Sequence, residues 1–382
     1  MNPESDFSIS GLAFPSLPLV PEPVLHSILS DLERFHLDGK LPEWADAEMG
    51  RLYQSIFSSA IMTRVSGQAD GVSTYVNKVR GETTCVLLFR KESDRVRVLN
   101  ELIRLHPDEI RDFVVYVFTA IPGIRSITFN AIKTDALNLP WPCQRHNQTE
   151  DLIIDLPASS RHYQDSLGKN LRKNIRRYSE RIKKDFPAFE FVVANEGDVR
   201  DEHILSLIEF NRARMKQKNK VSGIDEAETR WFLDCVRHFG GMAVLAVADG
   251  KICAGLVCCC AGDHFFLLIV GHDPAWNDYS LGTLCYYRAI CEAIERGGKA
   301  CHFLWGREAH KYRLLGVQHD FDKIVVYHSH AAMLRDARHA VLLLAQAKMR
   351  QARLWLLDPA NQDKPLARMA NRLKRALSKA SS

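Results

Sequence analysis

Two short stretches of this 382-residue chain carry side chains whose types and spacing can do chemistry. The first is Asn277-Asp278-Tyr279-Ser280-Leu281-Gly282-Thr283, where an apolar-periodic helix over Leu281 to Arg296, capped by Ser280, is expected to begin. A helix start presents free N–H groups and the positive end of the peptide dipole, so it holds phosphate or pyrophosphate where small residues let a ligand approach. Ser280 and Gly282 are small enough for that. The second stretch is Arg307-Glu308-Ala309-His310-Lys311-Tyr312, just past an apolar strand expected over Ala300 to Trp305. Ligands of open sheets collect at such strand ends. Glu308 there could take a proton from an ammonium group, directly or through water, with His272 and Asp273 as second-rank bases at the end of the preceding strand.

The elements that must position these residues form a strand, loop, helix and strand. Phe265 to Val270 is an apolar run short enough for a buried strand, and Gly297-Gly298 closes the helix before the next strand. Upstream lie a hairpin over Met242 to Ala248 and Ile252 to Cys260, helices over Glu202 to Lys216 and Glu226 to Phe239, and a strand over Phe189 to Ala194. Before those come a basic helix over Lys169 to Lys184 and a strand over Asp151 to Leu156. Downstream, Phe321 to His328 should close the sheet, followed by helices over Ala331 to Leu357 and Leu366 to Ala380. In the first part of the chain, helices are expected over Pro23 to His36 and Trp44 to Ile61. Strands follow over Ser73 to Lys78, Thr83 to Arg90 and Arg95 to Leu99, then a helix over Pro107 to Ala120 and a strand over Arg125 to Ala131.

The loop Asn277-Asp278-Tyr279-Ser280-Leu281-Gly282 resembles a loosened form of the Gln/Arg-x-x-Gly-x-Gly/Ala loop by which GNAT acyltransferases bind the pyrophosphate of acyl-coenzyme A, with Asn277 in place of Gln/Arg and Ser280 in place of the first glycine. Trp305 to Gly316 resembles the strand end and short helix of the CelD-like branch of that superfamily, associated with cellulose and exopolysaccharide synthesis. The FemABX peptidyltransferases share its double-domain plan. The resemblance covers Asp151 to Ser329.

It implies an α/β (α+β) fold of tandem GNAT-like domains, with mixed, mostly antiparallel sheets flanked by helices. On that plan residues 1–150 are a degenerate N-terminal copy, 151–186 a crossover strand and basic helix, 187–330 the acyltransferase domain and 331–382 a helical extension. It also implies acyl-coenzyme A as donor, with acetyl-coenzyme A foremost, acyl-carrier protein as an alternative and no metal. The donor arm would lie along Leu268, Ile269 and Val270, and the pyrophosphate at Asn277, Ser280, Leu281, Gly282 and Thr283. Glu308, Lys311, Tyr312 and His272 would act in catalysis. Arg307, His310, Arg172 and Arg176 would meet the acceptor.

Apolar residues at 46% and charged residues at 25% indicate a globular chain, and its length suffices for two cores of ordinary size. No apolar run approaches the ~18 residues of a membrane span. The acidic start, Met1-Asn2-Pro3-Glu4-Ser5-Asp6, is unlike a secretory signal, so a cytoplasmic location is expected. The ten cysteines sit mostly in apolar segments without a C-x-x-C pair, which favours reduced core thiols over disulfides or zinc.

The net charge of +5 is concentrated over Lys169 to Lys184 and Lys364 to Lys379, without the interleaved aromatics of a nucleic-acid module, so no DNA partner is expected. Leu171, Ile175, Tyr178 and Ile182 give the first of these helices a buried face. Its cations either lie in solvent or meet an anionic acceptor, a carrier protein or coenzyme phosphates. The second is read as docking on its own domain or a sister subunit, with anionic membrane as the less common occupant.

Three functions remain open on this reading. One is acyl transfer to an amine or hydroxyl of a small acceptor or a polysaccharide or cell-envelope precursor. The others are FemABX-like aminoacyl transfer from charged tRNA and a non-catalytic scaffold in a polysaccharide-synthesis complex.

Overall fold

The computed structural model describes residues 32–217 and 221–357, together with residues 361, 364, 365, 368 and 369. The first part of the chain runs β1 (Leu32–Leu37), α1 (Glu43–Tyr53), α2 (Ala60–Val65), β2 (Val72–Val79), β3 (Glu82–Glu92), β4 (Arg95–Val98), β5 (Ile103–Arg104), α3 (Pro107–Ala120), β6 (Ser126–Lys133) and β7 (Cys143–Asp155). It continues through α4 (Ser160–Ser166), α5 (Lys169–Asp185), β8 (Glu190–Ala194), α6 (Asp201–Gln217), α7 (Glu226–Phe239), β9 (Met242–Ala248), β10 (Lys251–Ala261) and β11 (His264–His272). A 3-10 turn (Pro274–Tyr279) then leads to α8 (Leu281–Glu295), β12 (Ala300–His302), α9 (Ala309–Arg313), β13 (Val317–Tyr327), α10 (His330–Arg335) and α11 (Ala337–Leu357).

The thirteen strands form one sheet in the order β1-β2-β3-β4-β6-β13-β7-β12-β11-β10-β9-β8, with β5 added onto β6. The pairs β4–β6, β5–β6 and β11–β12 are parallel and the others antiparallel. This is the mixed, mostly antiparallel α/β architecture expected. Helices cover both faces because each brings one apolar stripe. On one face, Leu281, Leu284, Cys285, Ala289 and Ile290 of α8 join Ile175 and Ile182 of α5 against β7 and β9 to β12. On the other, α6 and α7 pack Ile204, Leu207, Phe232 and Cys235 on β9 to β11. The approach of α6 is close enough that a Cβ on Gly271 would stand 2.5 Å from the Leu207 carbonyl oxygen, so β11 carries glycine there. A separate core under α3 is built from Tyr75, Phe89, Phe113 and Phe129.

Several expectations change. The helix expected to reach His36 is, over its described residues, strand β1, whose Phe35 lies opposite Val76 of β2. The apolar residues Leu32, Phe35 and Leu37 suit either element, and pairing with β2 decides. The helix expected from Trp44 to Ile61 breaks into α1 and α2, since Gln54 adopts a left-handed conformation and Ser59 caps a new start. β7 begins at Cys143, not at Asp151, because its first half pairs with β13. β13 does not close the sheet: it lies between β6 and β7, joining the two halves. The expected long helix from Ala331 divides at Asp336, which accepts from Arg95 at 2.6 Å. The helix expected over Leu366 to Ala380 lies almost wholly outside the described residues, as do positions 23–31 of the first expected helix.

Candidate active site

β11 and β12 run side by side only from His264/Ala300 to Phe266/His302. β12 ends there, while β11 continues to His272, so the sheet opens between them. At the same level β11 is irregular: Val257 of β10 faces Ile269 and Cys258 faces Leu267, which leaves Leu268 as an extra residue. Such a bulge turns main-chain groups out of the ladder, a common device beside active sites. Leu268, Ile269 and Val270, the expected donor-arm residues, thus line the open side of β11.

α8 starts over this opening. Ser280 is left-handed with φ 52° and makes no side-chain cap, a correction to its expected role, because in that conformation its hydroxyl does not reach back over the helix amides. The hydroxyl instead meets Tyr178 of α5. The Thr283 N–H is given to the Ser280 carbonyl at 3.0 Å, so the amides before it, those of Leu281 and Gly282, are the ones presented at the helix end. A Cβ on Gly282 would meet only the His272 Nδ1 at 3.7 Å and a Val270 methyl. Asn277 and His272 are brought together at 3.0 Å, which fixes the loop on the end of β11.

A cavity of about 180 Å³ lies beside this helix start, lined by Asn174, Tyr178, Ser280, Thr283, His310 and Arg313. The His310 ring is packed against Tyr286, and its Nε2 is buried with no hydrogen-bond partner among the described residues. Burial also holds its pKa below the ordinary histidine value, so the ring is kept neutral and able to pair with a ligand atom. An orphaned buried nitrogen, an uncapped helix start and an opened strand edge all fit a pantetheine diphosphate. Arg172 and Arg176 do not line this cavity: Arg172 stands 3.8 Å from Asp165, and Arg176 pairs with Glu180 at 2.7 Å in solvent.

The residues expected at the end of β12 form a linked group. Lys311 is only 6% exposed. Its ammonium donates to the Trp305 and Gly306 carbonyls at 2.5 and 3.3 Å and pairs with Glu308 at 3.1 Å, which engages all three of its protons. These contacts brace the turn after β12. That turn needs glycine at 306, where φ is +98° and a Cβ would stand 2.6 Å from the Glu308 carboxylate. Arg307 lies 3.5 Å from both Glu150 and Asp320. Buried Glu150 also accepts from Arg350 of α11 and, at 3.4 Å, from the Gly306 N–H. Tyr312 donates to Gln318 at 2.8 Å, and burial raises its pKa.

On the opposite face the opening meets a cleft between the two halves of the sheet. Phe57, Trp231 and Trp305 line a space of about 330 Å³ with Glu101, Gln148 and Thr149. Phe57 stacks on Trp231 at 6.2 Å and meets Trp305 and Phe266 edge-on. A smaller cavity of about 190 Å³ continues past Phe57 and Glu101 to Gln68, Arg97 and Asn130. Burial raises the Glu101 pKa against the pull of Arg97 and Lys323. Sequence reasoning missed Phe57, Glu101 and Trp231. No local motif marks them, and only tertiary packing brings the turn before α2, the loop after β4 and α7 together beside Trp305. On the same face Asp151 accepts from His302 at 2.6 Å, and His302 meets His264 at 2.9 Å, tying β7, β12 and β11 together at the base of the opening.

Residues 169–312 match the family described as Acetyltransferase (GNAT) domain, and that segment contains the open strand pair, the helix start and the turn at Gly306. Over that segment the chain is similar to GNAT-type acetyltransferase domains. No curated protein matches the chain. Among solved structures the chain is similar to FemX, at 10% identity and a TM-score of 0.54, over 76% of this chain and 96% of that one. This likeness shows a shared fold. More distant are L-PGS from Bacillus licheniformis (12% identity, TM-score 0.40, 69% of this chain and 86% of that one) and a tandem GNAT protein from the clavulanic acid biosynthesis pathway (12%, 0.38, 78% and 98%).

Proposed function

We propose that this chain transfers an acyl group, acetyl foremost, from coenzyme A to an amine or hydroxyl of a small acceptor or a glycan or cell-envelope precursor held in the aromatic cleft. The observation that carries this reading is the parting of β11 from β12 beyond Phe266 and His302, with an uncapped helix start on one side and the cleft on the other. Leu281 and Gly282 would hold the diphosphate through their amides, the β11 main chain at Leu268 to Val270 would hold the pantetheine arm, and His310 Nε2 would meet the donor in its cavity. The bound donor supplies the activated acyl thioester.

Within the cleft, Phe57, Trp231 and Trp305 offer flat apolar faces, and Gln148, Thr149 and Glu101 offer hydrogen bonds, a mixture that suits a sugar or other polyol. Glu101, whose raised pKa makes it a better proton acceptor than an ordinary carboxylate, and Glu308 are the candidate bases. The resemblance of Trp305 to Gly316 to the CelD-like branch favours a polysaccharide-associated acceptor. No helix among the described residues is long and apolar enough to cross a membrane.

Calorimetry with acetyl-coenzyme A, combined with amide exchange, tests the reading. Binding with slowed exchange at Leu281 and Gly282 is expected. Binding of charged tRNA in its place would move the protein to aminoacyl transfer, and absence of binding to either donor would leave a scaffold.

A further inference from the structure

The C-terminal extension is anchored along one side of α11. Ala340 and Leu343 are buried against β13, Ala347 is buried farther along the same side, and Arg350 reaches inward to Asn147 and Glu150. Those anchors fix the rotation of the helix, so its other side is held outward. There stand Val341, Leu342 and Met349, 62%, 60% and 64% exposed, with Leu344 beside them and Leu334 of α10 beyond. Residues 341, 342, 345, 349 and 352 share one helical stripe, and all are apolar. Arg338, one heptad before Ala345, ends the stripe, Arg335, Lys348 and Arg353 are exposed around it, and the segment from Ala337 to Leu357 contains no aspartate or glutamate.

An apolar stripe of this kind on a water-facing helix needs a cover, and the charge around it states what kind. A partner with mixed surface charge would face four cations with no acid to pair with its own. A surface of anionic headgroups over hydrocarbon complements both features at once: cations meet phosphates while the aliphatic side chains enter the interface. We propose that α11 docks this protein on an anionic phospholipid surface, lying in the plane of the membrane. The basic sequence from Lys364 to Lys379 continues the same charge. The proposal is independent of the acyl-transfer reading, because none of the stripe residues lines either cleft or cavity.

Co-sedimentation of the full chain with vesicles tests it. Wild-type protein is expected to bind vesicles containing phosphatidylglycerol, to bind pure phosphatidylcholine far less, and to be released by salt. A Leu342→Ser/Met349→Ser variant should lose roughly tenfold or more in partitioning, and each of Arg338→Ser and Lys348→Ser roughly fivefold on anionic vesicles alone. These side chains are exposed, so melting temperatures should be unchanged. The idea is overturned if wild-type protein stays in the supernatant. It is overturned too if the serine variants bind as well as wild type while neutralising the cations from Lys364 to Lys379 abolishes binding. A wild-type dimer that the double variant dissociates would instead make the stripe a contact between copies.

Discussion

The chain passes twice through the same arrangement, a strand, a helix and a parallel strand, and only the second passage is open. In the first, β4 lies parallel to β6, and β5 then adds onto β6 through Ile103 opposite Ile132, filling the place where the strands would part. In the second, β11 and β12 part after Phe266 and His302 and no strand follows. The helix starts differ in the same sense. α3 begins with a capping box: the His106 ring accepts from the Asp108 N–H, and Glu109 accepts from the His106 N–H at 2.7 Å. Pro107 has no N–H to offer, and the two acids already occupy the positive end of the dipole. α8 has neither cap nor acid in its first turn. Having the same plan therefore does not make a site; what matters is which main-chain groups the local sequence leaves unspent.

The most damaging way to test this contrast is to give α8 the chemistry of α3. Gly282→Asp fits sterically, since the nearest atoms to a Cβ lie at 3.7 Å and beyond. It places a carboxylate where the diphosphate would sit, and should weaken acetyl-coenzyme A binding about 30-fold by calorimetry, equivalent to about 2 kcal/mol. The circular dichroism should not change. Undiminished binding would mean that the open strand pair, and not the helix start, holds the donor.

Lys311→Met sharpens the contrast at the other end of the opening. It removes the cation that holds the Trp305 and Gly306 carbonyls, leaving them and Glu308 without that partner. A stability loss of about 1–3 kcal/mol in urea denaturation is expected, with turnover falling further than donor affinity. Unchanged kinetics would show that the turn holds its shape without its lysine.

Acidification should act on the open half and the seam. Burial lowers the pKa of His264, His310 and His319, so the folded state takes up protons less readily than the unfolded chain at these positions. Their contribution to stability is present above the unfolded histidine pKa of about 6.5 and is lost as pH falls below it and through the lowered values of the folded state. Denaturation midpoints should drop between neutral and mildly acidic buffer, and His310→Gln should flatten that drop. A midpoint that rises on acidification would contradict the assignment of neutral rings.

Much of this arrangement was legible from residue pattern. The limits of α3 follow from Pro107 at its start and Pro122-Gly123 past its end, and those of α8 from Ser280 and Gly297-Gly298, because turn residues and period act within a few positions. The bulge at Leu268 and the early end of β12 are set by partners on β10 and β7, which no local pattern announces. The cleft was hidden for the same reason: Phe57, Glu101, Trp231 and Trp305 come from four separate segments. Lys311 was found by motif, but its inward direction depends on the left-handed turn at Leu304 and Gly306.

The smallest expected effect is also the most discriminating, because it removes only the cap from the closed half. Glu109→Gln keeps the shape of the capping residue while removing its charge, and His106→Ala removes the ring that accepts from Asp108. Each should cost about 0.5–1.5 kcal/mol of stability, the ordinary worth of a cap. Neither should create a second donor site, since β5 still fills the space beside β6 and the aromatic core of Tyr75, Phe89, Phe113 and Phe129 still occupies the volume under the helix. Calorimetry with acetyl-coenzyme A should therefore give the same stoichiometry for both variants as for wild type. A doubled stoichiometry would show that the cap alone had kept the first passage shut, and that strand parting is not what makes the second one a site.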